Sequence, residues 1–140
     1  MLASSQAEYW PHLELVGTFH SHPYESLEEM KNLAGPGWKA SDGDKDHWPE
    51  IHKQIAPDQP SLAHLIVTIT ELSKRGWALP EKFKDKNCDG YSFVTGYKKL
   101  WLTAYATHEA YTEEESRVFD LTEGVTLDAS SLTTRMIQNN

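Results

Sequence analysis

The chain has 140 residues, 39% hydrophobic and 24% charged, which predicts one globular domain and leaves little room for a second. Thirteen Lys and Arg face 21 Asp and Glu, a net charge of −8, which argues against general nucleic-acid binding because that affinity comes from neutralising phosphates. The single cysteine, Cys88, excludes an internal disulfide framework, no run approaches the ~18 apolar residues of a spanning helix, and the first cationic side chain is Lys31, so neither a membrane span nor a secretory leader is predicted and the cytoplasm is the expected compartment.

Residues 2–10 suit a short helix that Pro11 stops. Residues 13–20 (LELVGTFH) are apolar on both faces and read as a central strand, ended by Pro23. Residues 24–40 read as a long loop with a helical turn at Ser26–Leu33, broken by Gly35-Pro36-Gly37. A helix is predicted over 42–55, where Trp48, Ile51 and Ile55 recur at helical spacing, and Pro49 either occupies its first turn or kinks it. Residues 63–70 (AHLIVTIT), β-branched and apolar, form the clearest strand. Short strands at 76–80 and 91–95 flank the turn Asn87-Cys88-Asp89-Gly90. Further strands are expected at 98–107 and Arg117–Leu121, and the last ten residues are expected to fray. The basic stretch Lys74, Arg75, Lys82, Lys84, Lys86, Lys98 and Lys99 reads as a solvated loop rim, and residues 107–140 as an acidic extension. Strands interspersed with one or two helices indicate an α/β or layered α+β domain, a mixed sheet flanked by helices.

Chemistry concentrates in Gly17-Thr18-Phe19-His20-Ser21-His22-Pro23. His20 and His22 are two apart on the predicted strand, so both imidazoles leave the same face and can share one cation. Downstream, Ser41-Asp42-Gly43-Asp44 opens the predicted helix, and Asp44 offers a third, oxygen ligand. Two His and one Asp suit Zn²⁺ and leave its fourth position for water, whose pKa falls toward ~7. The Ser41 hydroxyl is placed to stabilise the oxyanion formed when a carbonyl is attacked. The same Ser-x-x-Asp spacing is also that of a helix capping box, and Asp44 suits a helix N-terminus in its own right. His47 and His52 do not share a helical face and offer no second metal site. His12, His64 and His108 are isolated and read as core or surface residues. Trp38 is the candidate substrate contact, and Cys88 has no base to activate it.

GTFHSHP followed by SDGD resembles the HxHP…SxxD signature of the JAB1/MPN/Mov34 (JAMM) metallopeptidases, and the order of elements over residues 1–106 is similar to that family's. The resemblance implies a cytidine-deaminase-like architecture and a zinc metallo(iso)peptidase acting on peptide or isopeptide bonds, with ubiquitin-like proteins as possible substrates. It assigns His20, His22 and Asp44 to the metal and Ser41 to the tetrahedral intermediate. Residues 24–40 make the gap between the two motif halves longer than the family's, and Pro49 intrudes on the helix after Asp44. The family's general base, a Glu upstream of HxHP, finds no counterpart. Glu8 falls in the predicted helix, and Glu14 lies roughly 20 Å along the strand from His20. The resemblance therefore implies an N-terminally incomplete fold, an exposed sheet edge prone to homo-oligomerisation, and a choice between an active hydrolase and a non-catalytic MPN-like interaction module with a vestigial or metal-only site. An unrelated structural domain carrying the motif by chance is the third reading.

Overall fold

From Leu62 to Thr70 every second side chain is buried: Leu62, His64, Ile66, Thr68 and Thr70. That period of two is a sheet with one covered face. The computed structural model describes residues 15–31, 37–85, 88–122 and 125–138. They form a layered α+β fold with a four-stranded mixed sheet in the order β1 (Gly17–Tyr24), β2 (Ser61–Asp85), β3 (Cys88–Tyr111) and β4 (Arg117–Thr122). The helices are α1 (Leu27–Lys31), α2 (Asp42–Ile55) and α3 (Ser130–Gln138). None of these helices is long and apolar enough to cross a membrane.

β1 runs parallel to β2, with Gly17 opposite Ala63 and His22 opposite Thr68, whereas β2–β3 and β3–β4 are antiparallel. The parallel pair needs a crossover, which the segment carrying α1 and α2 supplies. Gly17 permits the approach: a Cβ there would sit 2.4 Å from the Ala63 carbonyl oxygen. β1 is the last strand on its side among the described residues, not a central one. It also continues through Pro23 to Tyr24, because at a sheet edge the missing proline N–H removes no ladder bond.

The expected separate strands at 63–70 and 76–80 are one 25-residue strand, and those at 91–95 and 98–107 are one of 24 residues. Register shifts between Glu71 and Gly76 and between Ala78 and Glu81 carry the pairing through the polar stretch. The long hairpin folds back on itself. A Cβ on Gly90 would meet the Leu102 carbonyl oxygen at 2.5 Å, although twelve residues of straight strand would span roughly 40 Å. The returning end is pinned by Phe83 against Trp38 at 4.7 Å and by the buried Asp89 carboxylate, which pairs with Lys82 and accepts from the Leu127 N–H.

α2 lies on the covered face. Its Trp48 joins Ala40, Ile66 and Tyr105 in the core, with Trp38, Ile51 and Leu121 packed around them. Pro49 sits inside α2 without ending it, at the loss of one backbone hydrogen bond. The C-terminal segment does not fray as expected: α3 forms over Ser130–Gln138, the Ser130 N–H bonded to the Asp128 carboxylate and Ala129 buried beneath. The helix expected at 2–10 lies outside the described residues.

Candidate metal centre

β1 and α2 bring the two halves of the motif together. Even-numbered residues of β1 face α2, so Thr18, His20 and His22 share the side on which α2 packs, while Phe19 and Ser21 face away and are exposed. α2 starts at Ser41 through a complete capping box. The Ser41 Oγ accepts from the Asp44 N–H at 3.0 Å, and Asp44 Oδ2 accepts from the Ser41 N–H at 3.0 Å. The box holds the Asp44 side chain at the helix N-terminus, turned toward β1. The capping and metal-ligand readings of Ser41-x-x-Asp44 are therefore compatible in one geometry.

His20 Nε2 lies 3.3 Å from Asp44 Oδ1, His22 Nε2 lies 3.3 Å from Asp44 Oδ2, and the two Nε2 atoms are 3.1 Å apart. Taking one ligand atom from each residue, all lie within 4.8 Å of one another. A tetrahedral ion with bonds of about 2.0–2.1 Å holds its donors about 3.3 Å apart. The three groups thus stand at the spacing a small tetrahedral cation requires, and two imidazoles with one carboxylate make a donor set able to hold a metal ion. All three side chains are partly exposed, at 33%, 21% and 20% for His20, His22 and Asp44, so the centre is open to solvent on one side. Burial pushes the Asp44 carboxyl up, but the Ser41 N–H, the neighbouring His20, the Ser41 hydroxyl and His22 together outweigh it and hold it below the usual carboxylate range. Asp44 is accordingly ionised at neutral pH, the form a metal ligand needs.

A half-open cavity of about 280 Å³ adjoins the cluster, lined by Thr18, Phe19, His20, Asp44, His47, Trp48 and Ile51. Trp38, expected to touch substrate, does not line it. Its ring packs on Phe83 and the core, and its carbonyl accepts from the Thr103 hydroxyl. No carboxylate other than Asp44 lines the cavity among the described residues.

The chain matches no family model, no curated protein and no solved structure. What the site can do therefore rests on its own geometry.

Behind the cluster lies a buried polar chain that reading residues singly missed. His52 Nε2 meets the Gln59 carbonyl at 2.7 Å, His52 Nδ1 meets the Thr107 hydroxyl at 2.8 Å, Thr107 meets His64 Nε2 at 2.9 Å, and His64 Nδ1 meets the Thr18 hydroxyl at 2.6 Å. A carbonyl only accepts, so His52 donates from Nε2 and receives the Thr107 proton at Nδ1. The Thr107 oxygen then accepts from His64 Nε2–H, and His64 Nδ1 accepts from Thr18. His52, His64 and Thr107 are fully buried. Burial, with smaller contributions from His52 and His20, pushes His64 down to about 4, so it is neutral at pH 7. The chain of bonds ties α2 to β3, β2 and β1. Trp48 stacks on His64 with centroids 4.9 Å apart and approaches His20 at 5.9 Å. The one advance signal was the alternation that turns His64 toward the covered face.

Proposed function

We propose that this protein is a zinc-dependent metallo(iso)peptidase of the JAMM type, with the cytidine-deaminase-like layering of JAB/MPN domains, acting in the cytoplasm on peptide or isopeptide bonds, ubiquitin-like proteins being the first substrates to test. The observation that carries the reading is the convergence of His20, His22 and Asp44 at 3.1–3.3 Å from two chain segments more than twenty residues apart. Zinc held there supplies a Lewis acid and a source of hydroxide near neutral pH. The chain's own contribution is positional. β1 presents both imidazoles on one face, and the capping box aims the carboxylate at them. The Ser41 oxygen accepts from the Asp44 N–H, which leaves its O–H to donate to a developing oxyanion.

A second reading is favoured by one observation: the cavity beside the cluster holds no further carboxylate among the described residues. Without a group to carry protons, rates fall by ~10²–10⁴, and the domain would serve as an MPN-like interaction module with a metal-only site. The outer side of β1, which has no partner strand among the described residues, would then serve pairing with a second copy.

Two measurements test these readings. Protein purified without chelator is expected to carry one zinc per chain by elemental analysis, and His20→Ala to carry none. Absence of zinc from the wild type would remove both metal readings. Cleavage of a linear ubiquitin fusion by the zinc-loaded chain, lost in Ser41→Ala with zinc retained, separates the peptidase from the module.

A further inference from the structure

We propose that the cavity between β1 and α2 is a side-chain pocket that selects an apolar residue adjoining the bond to be cleaved, an inference that rests on the metallopeptidase reading. Asp44, Trp48 and Ile51 stand at i, i+4 and i+7 on α2 and so share one helical face. That face turns the metal-facing carboxylate and two apolar side chains toward the same cavity, whose opposite wall includes His20 and Thr18 of β1. A group bound at the cluster therefore has the pocket as its immediate neighbour.

Size and chemistry define the occupant. At about 280 Å³ the cavity falls below the ~300–1,000 Å³ of clefts that enclose whole drug-sized ligands, so it suits a fragment such as one side chain. Neither Lys nor Arg lines it, so no permanently cationic side chain stands ready for an acidic occupant. The wall is preformed: Trp48 is 2% exposed, stacked on His64 and packed on Tyr105 at 5.0 Å, and does not have to reorganise to receive a guest.

The test uses the zinc-loaded full chain and two probes, acetohydroxamate and 4-methylpentanohydroxamate, in calorimetric titration. Both carry the same metal-binding head, and only the second carries a leucine-like chain. Burying that chain is expected to tighten binding at least about ten-fold. Ile51→Asp is expected to bring the ratio near one while leaving acetohydroxamate affinity unchanged. Ile51→Ser, which shortens the same wall without introducing a charge, provides a second readout and is expected to lower the ratio as well. Equal affinities for the two probes in the wild type would overturn the pocket while leaving the metal reading intact. A chain that binds no zinc would overturn both. A longer-chain advantage that survives both variants would place the apolar contact elsewhere and overturn the pocket.

Discussion

Thr107 is the joint of the buried polar chain, and Thr107→Val removes its hydroxyl while keeping its shape. The variant leaves the His52 Nδ1 lone pair and the His64 Nε2–H without partners, on two side chains that are both 0% exposed. An unsatisfied buried polar group costs about 1–3 kcal/mol, so the pair predicts a loss of about 2–6 kcal/mol. That is a large share of the 5–15 kcal/mol by which a domain is normally stable. Thr107→Ser keeps the hydroxyl, loses one methyl group, and should cost only about 1 kcal/mol. Urea unfolding at pH 7, read by tryptophan fluorescence, measures both, since Trp48 stacks on His64 and reports the same region. A double-mutant cycle with Thr18→Val should show coupling above about 0.5 kcal/mol, because Thr18 reaches Thr107 only through His64. Thr107→Val within about 0.5 kcal/mol of wild type, or Thr107→Ser as damaging as Thr107→Val, would refute the idea that these bonds hold α2 to the sheet.

Acid should weaken the fold through His64. The unfolded chain protonates this residue near 6.5 and the folded chain only near about 4, so His64 contributes fully above pH 6.5 and its contribution falls as pH drops toward 4, by about 3 kcal/mol in all. His64→Gln, compared with wild type by urea midpoint at pH 7 and 4.5, should flatten this slope, and an unchanged slope would count against it. Ser41→Ala removes the oxygen that accepts from the Asp44 N–H and should cost about 1 kcal/mol, read as a melting shift of a few degrees in the metal-free protein; no shift would mean the cap contributes nothing. The outer side of β1 has no partner strand among the described residues, and Val16 beside it is 72% exposed. Light scattering should therefore show concentration-dependent self-association that Val16→Lys suppresses, and a monomer at every concentration would contradict it.

Short-range patterns were readable from the sequence alone because their causes are local. The parity of His20 and His22 on an extended chain requires only a period of two, and the start of α2 at Ser41 requires only a hydroxyl and a carboxylate three residues apart. The β-branched run 63–70 and the apolar run 98–107 declared themselves as strands by composition. Pairing between distant segments did not. The polar run Ser73-Lys74-Arg75 looks like a boundary, yet ladder bonds on either side carry one strand through it. Pro23 looks like a terminator, yet it is tolerated at an edge, and whether a strand is an edge depends on its neighbours. The residues of the candidate centre could thus be named from the chain, whereas the 3.1–3.3 Å spacing among them exists only because β1 pairs parallel with β2 while α2 lies on the same face of the sheet with its N-terminus at β1. The His52–Thr107–His64–Thr18 chain and the apolar cavity were decided wholly at that level, since the first joins groups from four elements and the second lies between β1 and α2. Periodicity reports which way a side chain points, and only packing decides what it meets.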